Sequence, residues 1–290
     1  MEKTFVFPLE NLQSDVRELM FDNKLRLRRL DQHENQTIAK LRKAIYPVLA
    51  PTSFSHCLEA SASNIAKALN QVYLPISAIR LHKIGSVGTR FFLSKEFPNY
   101  VIPLSPQISV MSPALGIQYF LEITECDKLK RLYALLIPLE KDGKLVNSLR
   151  RFNMGVSETN FEDKLLSYII GLEALLLIGE SEKAFTFATL AMIFLDDGSP
   201  NKTTEIWNYI RRGYQLRNAI IHSGKPLPQR VKIKEVGTDS RESFVLELEE
   251  YLRSALKKYI KTKHKNPNLN IPETIARSIW DPSKRTDITV

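Results

Sequence analysis

The C-terminal half of the chain carries an apolar pattern that is typical of packed helices. From about Thr159 onward, large apolar side chains recur at steps of three and four, which places them on one face of a helix. The first stripe consists of Phe161, Leu165, Ile169, Leu172 and Leu176. The second consists of Ala184, Phe187, Ala188, Ala191 and Leu195. Gly179 and Ser181 stand between the two stripes and predict the end of one helix and the start of the next.

Two further helices complete this pattern. The third spans about 203–223 and is followed by Gly224, at the position of a C-terminal cap, and by Pro226. The fourth spans about 240–261. Four amphipathic helices with short connections predict an all-α, up-and-down bundle over residues 159–265. The remaining residues, 266–290, predict a tail with one short helix.

The N-terminal part of the chain has a different pattern and predicts a mixed α+β module over residues 1–113. Its strand patterns lie at 25–28, 54–58 and 90–93, and its helical pattern lies at 36–48. The stretch 97–113 contains four prolines and predicts a loop with short extended pieces. Residues 114–158 predict a helical connector, with helices at 122–136 and 145–152.

Composition limits the class of protein and its surroundings. The two cysteines, Cys57 and Cys126, are far apart and form no CxxC pair, so we expect a reducing compartment. The N-terminus has no apolar signal segment, and the most apolar stretch, 168–179, contains Glu173 and is too short to span a bilayer. These features predict a cytoplasmic protein with no membrane partner. A net charge of +9 mildly favours a polyanionic partner.

The most informative segment lies at the end of the third helix. Tyr214, Asn218 and His222 are spaced by four and share one helix face, while Arg217 lies five residues before His222. An imidazole can take a proton from an RNA 2′-hydroxyl or give one to the leaving oxygen. A guanidinium can hold the phosphate and stabilise its growing charge. RNA supplies the nucleophile itself, so these residue types suit cleavage without a metal or another cofactor.

The Arg-x4-His spacing alone is a weak signal. Arg28 and His33 have the same spacing near the N-terminus, with nothing around them that indicates a site. What distinguishes the later pair is its place at the end of a bundle helix, the neighbouring Asn218 and the capping Gly224.

With this context, the segment resembles the motif of the HEPN superfamily, and the chain is similar to the ApeA-like HEPN proteins of bacterial defence. The likeness is strong over 159–224, where a pattern like that of 161–176 opens the domain, and loose before it. The resemblance implies that Arg217, His222 and Asn218 are catalytic, with Glu173 and Tyr214 in supporting positions. It also implies a homodimer in which two motifs meet in one cleft.

The sequence departs from the family in two places, and several residues keep an alternative role. Ser223 separates His222 from Gly224, and the second helix lacks the arginine that many members carry there. The role of that arginine is either absent here or moved to Lys183, Arg211 or Arg212, and we assign RNA binding to Arg211, Arg212 and Lys225. Glu173 could instead pair with a base inside the bundle, Tyr214 could serve packing, and His222 could cap its own helix.

Other candidates carry a weaker signal. A basic run near the end of the fourth helix could contact phosphates or form a solvated helix end: Lys257, Lys258, Lys261, Lys263, His264 and Lys265. His56 and Cys57 have no second pair at metal-ligand spacing, so no metal site is predicted.

Together with the resemblance, these features predict a metal-independent endoribonuclease that leaves a 2′,3′-cyclic phosphate, and the resemblance implies a role in anti-phage defence or toxicity. RNA, including tRNA, and a trigger or antitoxin protein are the expected partners. The first alternative is a non-catalytic HEPN scaffold that binds RNA, a nucleotide or a protein. The second is a partner or substrate of a nucleotidyltransferase antitoxin, with Tyr214 as the residue to inspect for modification.

Overall fold

The fold is taken from a computed structural model that describes residues 2–45, 54–104, 118–178, 183–196 and 198–288. The chain divides into two compact units, residues 1–137 and 138–290. Strands and helices are mixed in the first unit, and the second is mostly helical, as the sequence predicts. Among the residues described, no helix has both the length and the apolar character needed to cross a membrane.

The first unit is centred on an antiparallel sheet of six strands in the order β3-β4-β5-β1-β6-β7. A separate parallel pair joins β2 and β8. The strands are β1 (Lys3–Pro8), β2 (Leu12–Ser14), β3 (Glu18–Met20), β4 (Leu25–Arg29), β5 (His56–Ala62), β6 (Phe91–Ser94), β7 (Phe97–Pro103) and β8 (Tyr119–Leu121). The strands predicted at 25–28 and 90–93 are confirmed, and the one predicted at 54–58 begins two residues later.

Three helices belong to this unit: α1 (Gln32–Ile45), α2 (Ile65–His82) and α3 (Cys126–Leu136). The helix predicted at 36–48 is confirmed as far as Ile45. Residues 46–48 of that prediction, and 105–113 of the predicted loop, lie outside the described residues. The sequence did not predict α2, which packs against β5 and α3.

A cluster of charges crosses the sheet around the buried Glu59 of β5. Its carboxylate accepts hydrogen bonds from Arg26 at 2.5 Å and from Arg28 at 2.9 Å, and it lies 3.0 Å from the ammonium of Lys95. Arg28 also pairs with Glu34 at the start of α1, at 2.6 Å. Arg28 is therefore held in a structural ion-pair network, as expected for an Arg-x4-His spacing without a site.

The second unit contains the predicted helices. They are α4 (Gly143–Ser157), α5 (Phe161–Leu176), α6 (Lys183–Leu195), α7 (Pro200–Ser223), α8 (Arg241–Lys265) and α9 (Ile271–Arg277). The α5 stripe is confirmed, because Leu165, Ile169, Leu172 and Leu176 are fully buried. Asn160 caps the start of α5 by accepting a hydrogen bond from the Glu162 amide. Gly179 and Ser181 lie outside the described residues.

The predicted connector, 114–158, is divided between the units. Its helix α3 lies in the first unit and α4 in the second. The backbones of α4 and α5 approach closely where Gly155 faces the ring of Tyr168. The Tyr168 hydroxyl donates to Glu249 of α8, which pairs in turn with the buried Arg253. These contacts, together with buried apolar residues such as Leu149 and Phe152, tie α4 into the helical core.

A β-hairpin stands between α7 and α8, where the sequence predicted only a charged loop. Its strands are β9 (Arg230–Ile233) and β10 (Gly237–Ser240). Val231 and Ile233 point into the core, while Arg230 and Lys232 between them are exposed. The turn places Glu235 at φ 61°.

Candidate functional site

The candidate site lies on the C-terminal half of α7. Pro200 occupies the first turn of this helix, and Gly224 ends it in the left-handed conformation at φ 60°. The amides of Gly224 and Lys225 donate to the carbonyls of Ile220 and Ala219, which closes the last turn. The predicted cap at Gly224 is thereby confirmed.

Arg217 is half-buried and stands at the centre of the site. Its Nη1 donates a 2.9 Å hydrogen bond to Oδ1 of Asn218, and its Nη2 lies 4.0 Å from Oε2 of Glu173 on α5. Its buried Nε has no hydrogen-bond partner among the described residues. A guanidinium has five donor hydrogens. Arg217 therefore keeps most of its donor capacity for a ligand.

Tyr214 fixes the other side of the Arg217 guanidinium. The guanidinium carbon of Arg217 lies 5.8 Å from the centre of the Tyr214 ring. The same ring lies 5.8 Å from that of Phe187 on α6, and Tyr214 is only 5% exposed. These contacts favour a packing role for Tyr214 that also positions Arg217.

His222 differs from these residues because it is exposed, in the last turn of α7. Its ring has no hydrogen-bond or ion-pair partner among the described residues. The helix end is closed by backbone amides, so His222 is not seen to cap it. Its neighbour Ile221 is also exposed. The imidazole is accessible to a large substrate.

The structure therefore brings into contact four of the five residues that were assigned catalytic or supporting roles, while His222 makes no hydrogen bond or ion pair with any of them. Arg217, Asn218, Tyr214 and Glu173 form one contact group. His222 follows Arg217 by five residues, which separates them by about 7.5 Å along the helix and by roughly 140° around its axis. One chain thus presents the guanidinium and the imidazole on different sides of α7.

A basic groove lies one to two turns earlier on α7. It has a volume of about 380 Å³ and is lined by Asn208, Arg211, Arg212, Gln215, Lys232 and Lys234. The guanidinium of Arg211 packs over the ring of Trp207 at 4.9 Å, and Nε of Arg212 is a buried donor without a partner in the described part of the chain. The groove can hold an anion of extended shape.

The sequence assigned Arg211 and Arg212 to this role but missed the contribution of the hairpin. Lys232 and Lys234 line the groove from β9 and from the turn after it. The alternation of basic and apolar residues over 230–234 was the signal that could have found them. Lys225 is exposed beyond the end of α7 and is not among the residues that line this groove.

His56 and Cys57 occupy the strand β5 and serve the core of the first unit. The His56 ring lies 2.8 Å from both the Val16 carbonyl and the Ser55 hydroxyl, and burial lowers its pKa. Burial raises the pKa of the Cys57 thiol to about 12. Within the described ranges, no three His, Cys, Asp or Glu side chains are grouped so that they could hold a metal ion.

The chain matches no known protein-family model, no curated protein and no solved structure.

Proposed function

We propose that the protein is a metal-independent endoribonuclease of the HEPN type, with an up-and-down bundle as its catalytic domain. The observation that carries the proposal is the state of Arg217. Its guanidinium is half-buried and positioned by Asn218, Glu173 and Tyr214, yet its Nε makes no hydrogen bond within the described chain. A buried donor without a partner is costly, and a bound ligand is one way in which its hydrogen bond can be satisfied.

In the proposed reaction, the RNA 2′-hydroxyl attacks the adjacent phosphorus and the 5′-oxygen of the next nucleotide leaves. His222 takes the proton of the attacking hydroxyl or gives one to the leaving oxygen, and a water molecule exchanges the proton of the other transfer. Arg217 donates to the non-bridging phosphate oxygens, whose charge grows in the transition state. Asn218 holds the guanidinium in place. The products are a 2′,3′-cyclic phosphate and a 5′-hydroxyl.

The separation of Arg217 and His222 around α7 supports a homodimeric site. Two residues that point about 140° apart on one helix reach the same phosphate poorly. In a dimer built through the C-terminal half of α7, the guanidinium of one copy and the imidazole of the other can meet in one cleft. The exposed Ile221 and the exposed Phe185 of α6 supply apolar surface for such a contact.

The basic groove supports RNA as the substrate. Arg211, Arg212, Lys232 and Lys234 can bind backbone phosphates. We place the function in anti-phage defence or toxicity, in the cytoplasm, with a trigger or antitoxin protein as a further partner. The alternative is a scaffold that binds RNA without cleaving it, for which the exposed His222 is dispensable.

The direct test uses the purified protein with total RNA and with tRNA in EDTA. His222→Ala and Arg217→Ala are compared with the native protein and with His264→Ala, which removes an exposed histidine at the end of α8. Removing a general acid or base lowers a rate by about 10²–10⁴-fold. We expect cleavage by the native protein and by His264→Ala, and a loss of that size in the other two.

The ends of the products identify the chemistry. A 2′,3′-cyclic phosphate, detected by mass spectrometry, supports the proposed mechanism. Cleavage that persists in His222→Ala, or that requires a divalent metal, contradicts it. The scaffold is favoured by two results together: the purified protein binds RNA without cleaving it, and His222→Ala is as toxic in cells as the native protein.

A further inference from the structure

The basic groove and His222 lie on the same side of α7. Successive residues of an α-helix are separated by about 100° around its axis. The groove residues that α7 supplies fall within an arc of roughly 100°; they are Asn208, Arg211, Arg212 and Gln215. His222 lies inside this arc, whereas Arg217 lies roughly 170° from its centre. One side of α7 thus joins the groove to the imidazole.

The burial of α7 agrees with this arrangement. Gln215 and His222 are exposed, and Arg211 and Arg212 are half-buried. On the opposite side of the helix, Gly213 is buried where α7 packs on α5. The side of α7 that runs from Arg211 to His222 is therefore a solvent-facing stripe, here called the outer stripe.

The outer stripe spans only a few nucleotides of RNA. Arg212 precedes His222 by ten residues, which corresponds to about 15 Å along the helix axis. One strand of a stacked duplex advances by about 3.4 Å per nucleotide, and an extended strand by up to about twice that distance. A strand that follows the outer stripe therefore covers this interval in about two to four nucleotides.

The cations of the groove are available for phosphates. Among the described residues, Arg211, Arg212 and Lys232 form no ion pair. The Nη1 of Arg212 donates a long hydrogen bond of 3.4 Å to Oε1 of Gln215, and its buried Nε has no partner in the described chain. These groups can therefore bind phosphates without first breaking an ion pair.

We propose that one RNA strand follows the outer stripe, with the scissile phosphate at His222 and the phosphates about two to four nucleotides away in the groove of the same subunit. This inference rests on the proposed function and deepens it. Arg217 faces away from the outer stripe, so the guanidinium that acts beside this His222 comes from the second copy. The groove then fixes which bond is cut, and RNAs too short to reach both points are poor substrates.

The first test locates the contacts on the RNA. In an oligonucleotide with one mapped cleavage site, a neutral methylphosphonate replaces the phosphates one at a time and leaves the scissile phosphate intact. For the native protein, kcat/KM should fall by about tenfold when the replaced phosphate lies about two to four nucleotides from the cut, on one side. Lys232→Gln/Lys234→Gln lacks the cations that meet this phosphate, so it should respond much less. Lys128→Gln/Lys130→Gln, two exposed changes on α3, should respond like the native protein.

The second test identifies the subunit that holds the strand. In a mixed dimer of an Arg217→Ala chain and a His222→Ala chain, purified through two different tags, one cleft keeps both groups. Its His222 comes from the Arg217→Ala chain and its Arg217 from the other chain. Lys232→Gln/Lys234→Gln placed in the chain that supplies His222 should lower kcat/KM by about tenfold more than the same change in the other chain.

Either of two results would overturn the proposed RNA path: methylphosphonates at these positions that leave cleavage unaffected, or a groove change with the same effect in both chains of the mixed dimer.

Photo-cross-linking of His222→Ala to RNAs that carry one 4-thiouridine reads the path without any cleavage. Nucleotides joined to the β9–β10 hairpin and to the end of α7 should lie about two to four positions apart. These cross-links, in the absence of cleavage by the native protein, would retain the path and overturn the ribonuclease. Cross-links that miss either segment would overturn the path itself.

Discussion

Arg217 and Glu173 form a long ion pair, in which the guanidinium Nη2 of α7 lies 4.0 Å from the carboxylate Oε2 of α5. At this distance, the carboxylate orients the guanidinium without taking up its hydrogen-bond donors. The pair thus links helix α5 to helix α7.

The first prediction concerns Glu173→Gln. Cleavage of RNA should slow, through kcat more than KM, because Arg217 loses the charge that orients it. Asp163→Asn, an exposed change on the same helix, is the control. If Glu173→Gln cleaves RNA at the native rate, Glu173 serves the bundle alone.

The second prediction concerns the basic groove. RNA affinity in the His222→Ala background should fall with salt, and Lys232→Gln/Lys234→Gln should reduce the slope of log K against log salt by about 0.7 for each lost phosphate contact. Fluorescence anisotropy of a labelled single strand measures this slope. Lys128→Gln/Lys130→Gln should leave it unchanged, and an unaltered slope in the groove variant would place the RNA elsewhere.

The third prediction concerns the contact between α4 and α5. A Cβ on Gly155 would overlap the ring of Tyr168, whose hydroxyl donates to Glu249. Gly155→Ala should therefore lower the free energy of unfolding by about 1–3 kcal/mol. Gly143→Ala, at a position with no atom within 4 Å of the new Cβ, should be neutral or stabilising by up to about 1 kcal/mol. Urea denaturation followed by circular dichroism compares the two, and equal effects would rule out the close packing.

The fourth prediction concerns the pH dependence of the first unit. Burial alone would raise the pKa of Glu59, but hydrogen bonds from Lys95, Arg28 and Arg26 outweigh it and lower the pKa from 4.5 to about 2. The folded-state pKa lies below the unfolded one, so the stabilisation is complete above about pH 5 and is lost as pH falls toward about 2. It amounts to about 3 kcal/mol.

Glu59→Gln tests this assignment. Hydrogen exchange of the β5 amides at neutral and acidic pH should show a strong loss of protection in acid for the native protein. In the variant, which has no carboxylate to protonate at this position, the difference between the two conditions should be much smaller. The same acid sensitivity in both proteins would assign the effect to other carboxylates.

The fold was predictable where one face of an element is buried. The steps of three and four in 161–176 and 184–195 predicted α5 and α6 because each has a continuous core face. The helix α2 was missed because Pro75 lies inside it, and proline usually ends a helix. Yet Ala68, Val72, Ile76 and Ile79 are all buried on it at helical spacing.

The candidate site was predictable along α7 and much less so across the chain. Spacing alone placed Tyr214, Asn218 and His222 on one face of α7 and Arg217 away from it, since a helix fixes its own geometry. The same spacing could not reveal that His222 is exposed while Tyr214 is buried, because exposure depends on the neighbouring helices. Nor could it place Lys232 and Lys234 beside Arg211, since that contact depends on a hairpin only a few residues long.

The stacking of Arg211 on Trp207 has an optical consequence. The chain contains two tryptophans, Trp207 and Trp280, and both belong to the second unit, so ultraviolet-excited indole emission originates there alone. Trp280 is 88% exposed and can be replaced by phenylalanine with little structural cost. The remaining indole lies beside the groove and against the exposed Phe185 of α6. Its emission then becomes an intrinsic signal for what enters the groove, free of any label.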